Sequence, residues 1–331
     1  MASVAAQAVD TVALLYGRHD GFRALHAKGR VYAGRFTASP KAAEFTRAAH
    51  MQGSPVEVTA RLSNGSGDPE GHDGAPDGRG LAVKFYLPDG SRTDIVCVTL
   101  PLFTNRTPED FVAFTRARVP KEGSKRPRLT KLLPFLLRHR ETLRAARAVG
   151  PWLRPVPSYA NCQYNGLHAF RWIAADGSDR HVRYSWIPEA GRENLSKNDA
   201  MARDPNYLQD EFAERLASAP VRFTLQLKIA REGDPVDDPT APWPNDRETV
   251  EVGTLEITEP DTTREKGDDV LVFDPTRITD GIELTDDPIV TFRREAYNVS
   301  IKRRSGVGLE DTAPARATGS AGGHEGPPGL G

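Results

Sequence analysis

The sequence predicts an α+β fold in which an antiparallel eight-stranded β-barrel carries inserted and flanking helices. Three observations lead to this prediction. Several segments alternate apolar and polar residues with a period of two, as half-buried strands do. Short turns rich in Gly, Pro and Asp join neighbouring segments, which favours hairpins over parallel crossovers. Ser-Pro and Thr-Pro pairs open helical segments between them.

The first half of the chain combines helices and strands. We expect a helix over residues 6–16 and a second one from Ser39-Pro40, where the Ser39 hydroxyl is suited to cap free amides. Thr107-Pro108 opens a third helix in the same way. Alternation predicts strands over residues 56–63, 80–87 and 93–99, the last two joined by the turn Pro88-Asp89-Gly90.

The strand pattern returns in the second half. Residues 168–174 and 180–187 flank the hairpin turn Ala175-Asp176-Gly177, and a helix over 208–217 ends before Pro220. Val221–Ile229 alternates without a break. In residues 250–258 the apolar phase slips between Val252 and Leu255, which predicts a β-bulge near Gly253.

We expect a folded core over residues 1–305 and a disordered Gly/Ala/Pro-rich tail over 306–331. Within the core, residues 121–154 form a basic helical insertion with ten Lys or Arg residues and two acidic ones. This insertion is either a solvated helix face or a surface for an acidic partner or a membrane.

The composition limits the classes of function. The formal net charge of −1 gives no electrostatic reason to expect a nucleic-acid partner. No apolar run approaches the roughly 20 residues that span a bilayer, and the N-terminus does not resemble a secretory signal. Cys97 and Cys162 form no CxxC pair, so we expect reduced thiols in a cytoplasmic protein.

Two pairs of polar residues in the first quarter of the chain are candidates for chemistry. Arg23 and His26 place a cation and a titratable imidazole three positions apart, which is one turn if the segment is helical. Arg61 and Ser63 share one face of a predicted strand because side chains alternate.

A third pair lies near the C-terminus. Arg293 and Tyr297 are four positions apart on a predicted helix, so the guanidinium can reach the phenol oxygen. Such pairs are also common in proteins where they have no catalytic role. Spacing alone therefore indicates a β-barrel enzyme or a binding protein.

Eight segments resemble, in one order along the chain, the sequence of haem catalases, and the resemblance extends over about residues 20–304. The last of these segments resembles a proximal helix with its Arg-x-x-x-Tyr motif. The segments are residues 23–29 (RALHAKG), 60–63 (ARLS), 77–86 (DGRGLAVKFY), 164–170 (YNGLHAF), 204–207 (DPNY), 243–244 (WP), 273–275 (FDP) and 280–297.

The resemblance implies a role for each matching side chain. Tyr297 matches the phenolate ligand of the haem iron, and Arg293 the cation that stabilises its oxygen. His26 matches the distal histidine that moves the peroxide proton, and Ser63 the hydroxyl that orients it. The remaining matches are His168 and Asp287, which hold the proximal arginine; Arg23, Arg61 and Arg304, which pair with the haem propionates; Phe103, which stacks on a pyrrole ring; and Phe111, above the haem.

Two departures from the family pattern point to a subgroup. True catalases have an asparagine beside the distal histidine at the position of Val98, whose isopropyl group makes no hydrogen bond. The chain also ends soon after the proximal helix, without the large C-terminal helical domain of large catalases. Both features resemble the small catalase-related peroxidases.

The sequence therefore predicts a haem-dependent peroxidase that reduces organic hydroperoxides and hydrogen peroxide with an external organic reductant, with weak or no catalase activity. The expected cofactor is one haem b per chain, and a homodimer is compatible with the sequence. Two alternatives stay open: a non-catalytic haem carrier or sensor, and a haem isomerase of lipid hydroperoxides. His26 together with Ser63 argues against the carrier, because binding alone needs neither.

Overall fold

The computed structural model describes residues 2–124, 127–261 and 271–306. Its strands are β1 (Gly29–Ala38), β2 (Val56–Asn64), β3 (Arg79–Tyr86), β4 (Arg92–Val98), β5 (Tyr164–Asn165), β6 (Phe170–Ile173), β7 (Asp179–Pro188), β8 (Val221–Ile229), β9 (Thr249–Pro260) and β10 (Ile282–Leu284). Eight of them close into an antiparallel barrel in the order β7-β5-β4-β3-β2-β1-β9-β8, and β8 pairs back to β7. Outside this ring of strands, β6 pairs with β7, and β10 pairs with β6. The predicted eight-stranded barrel is confirmed.

Helices lie between the strands and outside the barrel. The described α-helices are α1 (Val4–Tyr16), α2 (Pro108–Arg118), α3 (Leu129–Arg138), α4 (Arg140–Val149), α5 (Lys197–Met201), α6 (Tyr207–Ser218) and α7 (Pro288–Ser305). The predicted cap of α2 forms, because the Thr107 hydroxyl accepts a hydrogen bond from the amide of Asp110. The basic insertion is helical in its described part, as α3 and α4, and a 3₁₀ turn (Gly150–Leu153) follows.

The structure differs from the sequence analysis at three places. The Ser39-Pro40 element is a short 3₁₀ helix (Pro40–Glu44), and the Ser39 hydroxyl donates to the carbonyl of Glu251 instead of capping it. The segment of Arg23 and His26 is a series of turns and not a helix. Strand β1 was not predicted, because Gly34 interrupts its pattern. A Cβ at Gly34 would lie 2.3 Å from the Glu256 carbonyl oxygen, so only glycine allows β9 to approach this closely.

The bulge expected in the ninth strand is present. Leu225 pairs with Gly253 and Gln226 pairs with Glu251, so Val252 is the extra residue. The bulge therefore lies beside Gly253, where the apolar phase of the sequence slips.

The two faces of strands β1–β4 have different neighbours. Tyr32, Leu62, Leu81 and Cys97 point into the barrel and belong to its apolar core. Their neighbours along the strands point outward and form two rows across the sheet, each aligned by the antiparallel register. The rows are Gly29–Ser63–Gly80–Val98 and Val31–Arg61–Ala82–Val96. The candidate side chains Arg61 and Ser63 therefore lie on the outside of the barrel.

Three helices pack together outside the barrel. Ala5 and Ala8 of α1, Val112 of α2 and Phe292 of α7 form one apolar cluster. Farther along α7, Ile301 packs with Val272, and Tyr297 lies against both. The helix that carries Tyr297 is thus fixed at both ends.

No helix among residues 2–124, 127–261 and 271–306 is both long and apolar enough to cross a membrane. Apart from Gly306, the tail predicted over 306–331 lies outside the described residues. Helix α7 ends at Ser305, and the boundary between core and tail stays a prediction.

Candidate active site

His26 lies in a loop that covers the outer face of the barrel. Its Nδ1 atom is 3.0 Å from the Ser63 hydroxyl oxygen. Gly80, paired with Ser63 in the sheet, leaves room for the imidazole: a Cβ there would lie 2.8 Å from His26 Nδ1 and from Ser63 Oγ. His26, Ser63 and Gly80 form a distal cluster in which the absent side chain of Gly80 makes the space for the ring.

Backbone contacts fix the histidine loop. The amide of His26 donates to the carbonyl of Gly65, at 3.2 Å, and the amide of Ala27 donates to that of Ser66, at 3.1 Å. His26 has a φ of 56°, the one positive value of a non-glycine residue in the part of the chain that the structure describes. Such a conformation is unfavourable for a residue with a Cβ, so the surrounding contacts must hold it.

Arginines surround this loop. Arg61 is buried, and its Nη1 donates to the carbonyl of His26 at 3.0 Å. Arg23 donates from Nη2 to the carbonyl of Leu271 at 2.6 Å, and the amide of Ala24 is 3.5 Å from the Ser300 hydroxyl of α7. The loop is thereby attached both to the barrel and to α7.

Burial lowers the pKa of His26 to about 3, and the positive charges of Arg61, Arg293 and Arg23 act in the same direction. The imidazole is therefore neutral at physiological pH and can accept a proton.

The second half of the site is on α7. Arg293 donates two hydrogen bonds to the phenol oxygen of Tyr297, from Nε at 2.9 Å and from Nη2 at 2.6 Å. Its Nη1 is 3.0 Å from His168 Nε2, and His168 Nδ1 is 2.6 Å from Asp287 Oδ2. A guanidinium can only donate, so Nε2 accepts and the proton of the neutral ring is on Nδ1, facing the carboxylate.

The sequence around Asp287 explains how this chain of contacts is fixed. Asp287 is the N-cap of α7, with Oδ1 accepting from the amide of Ile289 at 2.8 Å, and it is buried. Burial lowers the pKa of His168, which therefore stays neutral between the Arg293 guanidinium and the Asp287 carboxylate. One buried carboxylate both starts the helix and orients its arginine.

Arg304 and the two phenylalanines extend the site. Arg304 lies half-buried in the last turn of α7, seven residues after Tyr297 and hence on nearly the same side of the helix. Phe103 and Phe111 stack at 5.8 Å between ring centroids, and Phe111 is 6.5 Å from Phe292 of α7. The two rings thus belong to one aromatic cluster.

Val98 lies in the outer row, paired with Gly80 on one side and with Asn165 on the other. Thr99, a polar candidate for the hydrogen bond that Val98 lacks, points to the opposite face by alternation, and its hydroxyl accepts from the amide of Arg79 at 3.0 Å. The side chain of Asn165 is bonded to Thr99 O and to Ser185 Oγ. Neither residue supplies an uncommitted amide beside His26.

These side chains fit a metal ion held in an anionic frame. Tyr297 offers a phenol oxygen, a known type of iron ligand, that accepts two hydrogen bonds from the Arg293 guanidinium. Arg23, Arg61 and Arg293 concentrate positive charge around His26, which suits anionic substituents. Sequence reasoning gave no role to Gly80, although a glycine inside a strand signals a close approach and was the available clue.

Comparison with known proteins identifies the family. The catalase family model matches residues 21–318. A catalase-related peroxidase of Mycolicibacterium paratuberculosis is 47% identical over 311 residues, which cover 93% of this chain and 97% of that protein. One of Synechococcus elongatus is 31% identical over 299 residues, covering 90% and 88%.

Solved structures show the same fold. A fungal catalase superimposes with a TM-score of 0.78 at 22% identity over 89% of this chain, and catalase A of Saccharomyces cerevisiae with 0.77 at 21% over 87%. The chain spans 62% of the length of each of these two proteins. With the family model and both peroxidase relatives in agreement, this chain belongs to the catalase family.

Proposed function

We propose that this protein is a haem-dependent peroxidase that reduces hydroperoxides with electrons from an external donor. The observation that carries the proposal is the contact of Arg293 with Tyr297 on α7, where the phenol oxygen accepts two guanidinium hydrogen bonds. The loop of His26, whose Nδ1 lies 3.0 Å from the Ser63 hydroxyl oxygen, contacts the same helix through the Ala24 amide and the Ser300 hydroxyl. The relatives named catalase-related peroxidase support it.

In this proposal, the side chains of the candidate site would hold the cofactor. Tyr297 would bind the haem iron, with Arg293 stabilising the phenolate and His168 and Asp287 holding Arg293 in place. Arg23, Arg61 and Arg304 would pair with the propionates, and Phe103 and Phe111 would pack against the haem. When bound, the haem supplies the redox chemistry of peroxide reduction.

His26 would transfer the proton. With the imidazole proton on Nδ1 and donated to Ser63, Nε2 is free to accept the peroxide proton and to return it to the leaving oxygen. The low pKa of His26 keeps this nitrogen unprotonated across the physiological range. Such positioned proton transfer contributes about 10²–10⁴-fold in enzymes.

Weak catalase activity is part of the proposal. Dismutation requires a second peroxide held with its protons directed, and the side chain at position 98 offers no hydrogen bond for that purpose. Thr99 and Asn165 are engaged elsewhere. The apolar side chain of Val98, in the row of Ser63 and Gly80, suits an organic hydroperoxide better.

Two other functions use the same fold. A haem carrier would need Tyr297 and the arginines but not the His26–Ser63 pair, so the distal cluster disfavours it. A haem isomerase of lipid hydroperoxides would need no external donor, and neither relative bears that name. The peroxidase is the better supported function.

Further details of the proposal are one haem b per chain, an organic reductant and a homodimer in the cytoplasm. The location is supported by Cys97 and Cys162, which are both buried as free thiols. Analytical ultracentrifugation tests the homodimer, since a single-chain mass would contradict it. Pyridine haemochrome analysis gives the haem type and the number of haems per chain.

The direct test of function compares hydrogen peroxide with an alkyl hydroperoxide, each with and without an aromatic donor. A peroxidase oxidises the donor with both peroxides and evolves little oxygen. Haem without donor oxidation would indicate the carrier, and a rearranged lipid product formed without donor would indicate the isomerase.

A further inference from the structure

The most exposed apolar surface of the described chain is on α3. Leu129, Leu133 and Leu137 are 62%, 54% and 74% exposed and recur every four residues, so they form one stripe along the helix. No residue of α3 is fully buried. Free apolar side chains in a row are unfavourable in water and mark a surface that binds something apolar.

Positive charge accompanies this stripe. On α4, Arg140, Arg144 and Arg147 are exposed and share one face at spacings of four and three residues. Residues 121–154 hold ten Lys or Arg residues against two acidic ones. The two consecutive helices α3 and α4, called here the basic helical pair, thus carry three exposed leucines on the first helix and three exposed arginines on the second.

The pair is attached to the helix that carries Phe111. Phe135 of α3 packs 5.6 Å from Phe114 of α2. His139, between α3 and α4, has Nδ1 at 3.6 Å from Asp110 Oδ1 and at 3.3 Å from Glu141 Oε1. These contacts use the inner side of α3 and leave the leucine stripe outward.

We propose that the basic helical pair docks on an anionic lipid bilayer, with the leucines at the boundary of the acyl chains and the arginines on the headgroups. Apolar area next to basic side chains is what binds helices in the plane of such membranes. A second copy of this chain on the same face would bring like charges together. An acidic protein would satisfy the arginines but not the three leucines.

The test is flotation of the full-length protein with phosphatidylcholine vesicles that contain 0% or 30% phosphatidylglycerol, at low and high salt. We expect binding to the anionic vesicles at low salt, and a decrease of about 10-fold or more when Leu129, Leu133 and Leu137 are all changed to Ser. Leu14→Ser is the matched control, since Leu14 is 64% exposed on α1. It should bind as the unmodified protein does.

Three results would overturn the proposal. One is flotation that is equal with both vesicle types or absent from both. Another is unchanged binding of the triple variant. The third is a triple variant that becomes monomeric while the unmodified protein is a dimer in analytical ultracentrifugation, which would assign the stripe to self-association.

A second inference concerns Asp73, a fully buried carboxylate behind the distal cluster. It is 2.8 Å from Lys28 Nζ and accepts hydrogen bonds from Asn64 Nδ2 at 2.7 Å and from the Leu208 amide at 2.9 Å. Its backbone carbonyl accepts from Arg79 Nη2 at 2.6 Å. A buried carboxylate with so many donors fixes the segments that supply them.

Two partners of the Asp73 carboxylate, Lys28 and Asn64, and the partner of its backbone carbonyl, Arg79, are neighbours of the distal cluster. Lys28 lies two residues after His26, Asn64 follows Ser63, and Arg79 precedes Gly80. One residue thus connects the three separate segments that meet around the imidazole.

We infer that Asp73 is a positioning residue that holds His26, Ser63 and Gly80 together. The positive φ of His26 requires such support from outside the loop. The inference rests on the proposed function only in the second test below, which measures catalysis. The first test measures the reactivity of His26 in the haem-free protein and does not depend on that function.

That first test is carbethoxylation of the haem-free protein by diethyl pyrocarbonate, followed by mass spectrometry. In Asp73→Asn we expect His26 to react about threefold or more faster relative to His19 of the same molecule. The matched control is Asp94→Asn, because Asp94 is also a buried carboxylate, paired with Lys84 and Arg277. An equal increase in both variants would mean general loosening and would overturn the inference.

The second test is a double-mutant cycle on the reaction with peroxide. If Asp73 acts through His26, Asp73→Asn should slow the reaction about 10-fold in the unmodified background and hardly at all in His26→Ala. If Asp73→Asn folds poorly, the double variant Lys28→Met/Asp73→Asn replaces it in the cycle, because it removes both buried charges together. Equal losses in both backgrounds would refute a role through His26, whereas a normal rate in His26→Ala itself would refute the proposed function.

Discussion

Arg293 donates two hydrogen bonds to the phenol oxygen of Tyr297, and it is itself held through His168 by the N-cap carboxylate of α7. Its guanidinium is thereby held in place with two donors at the phenol oxygen. Asp287 at the start of α7, Arg293 and Tyr297 within α7, and His168 between β5 and β6 build this arrangement.

The first prediction follows from that contact. Tyr297→Phe removes the oxygen that two donors stabilise, so donor oxidation should be abolished and the absorption spectrum of any bound haem should shift. Tyr86→Phe is the control, because the Tyr86 hydroxyl bonds Thr59 elsewhere on the barrel. A Tyr297→Phe protein with the unmodified spectrum and rate would refute the ligand assignment.

Gly80→Ala should slow the reaction with peroxide by about 10-fold or more, because the new Cβ would displace His26 or Ser63 by several tenths of an ångström. Haem binding should be retained, since no propionate or axial partner changes. Gly150→Ala is the control: it has a negative φ and no atom within 4 Å of the added Cβ. Equal rates for both variants would show that the ring does not need this space.

The acid stability of the fold should depend on His50. This residue is fully buried, and neither ring nitrogen has a hydrogen-bond partner among residues 2–124, 127–261 and 271–306. Burial lowers its pKa to about 3. His50 has a pKa of 6.5 in the unfolded chain and of about 3 in the folded chain, so between these values the unfolded chain binds one more proton. The free energy of unfolding therefore falls as the pH decreases from 6.5 to about 3. The slope is about 1.4 kcal/mol per pH unit for one proton.

His50→Leu should therefore reduce the dependence of the free energy of unfolding on pH between about pH 6 and 4 by about the contribution of one proton. Urea unfolding at several pH values measures this dependence. His19→Leu is the comparison, because His19 is a partly buried histidine whose Nε2 lies 3.0 Å from the Tyr16 carbonyl oxygen. An unchanged slope in His50→Leu would mean that His50 finds a partner in solution.

The substrate preference should depend on position 98. Val98→Asn adds an amide to the row of Ser63 and Gly80, and oxygen evolution from hydrogen peroxide should rise by about 10-fold or more. Val96→Asn, in the neighbouring row, is the control for added polarity. Rates of oxygen evolution in the unmodified protein like those of large catalases would contradict this argument, although the haem assignment would stand.

The barrel and its bulge were predictable because hydrophobic alternation is a local property of each strand. The exception, β1, shows the limit: Gly34 is required by the backbone of β9, a contact that no local pattern contains. Likewise, Ser39 has the chemistry of a cap, but its hydroxyl finds the Glu251 carbonyl.

The site was predictable to different degrees. The Arg293–Tyr297 contact follows from helical spacing, whereas the His26–Ser63 contact joins a turn with a strand 37 residues away and required the family resemblance. Asp73 was not predicted at all. Its importance comes from four segments that only the folded chain brings together.

The central claim is that His26 moves a proton during peroxide cleavage without holding the cofactor. The measurement that tests it most directly is stopped-flow mixing of haem-loaded protein with an alkyl hydroperoxide, for the unmodified chain and for His26→Ala. We predict equal haem content and a rate constant about 100-fold or more lower in the variant, with His19→Ala unchanged. Equal rate constants for His26→Ala and the unmodified protein would contradict the claim.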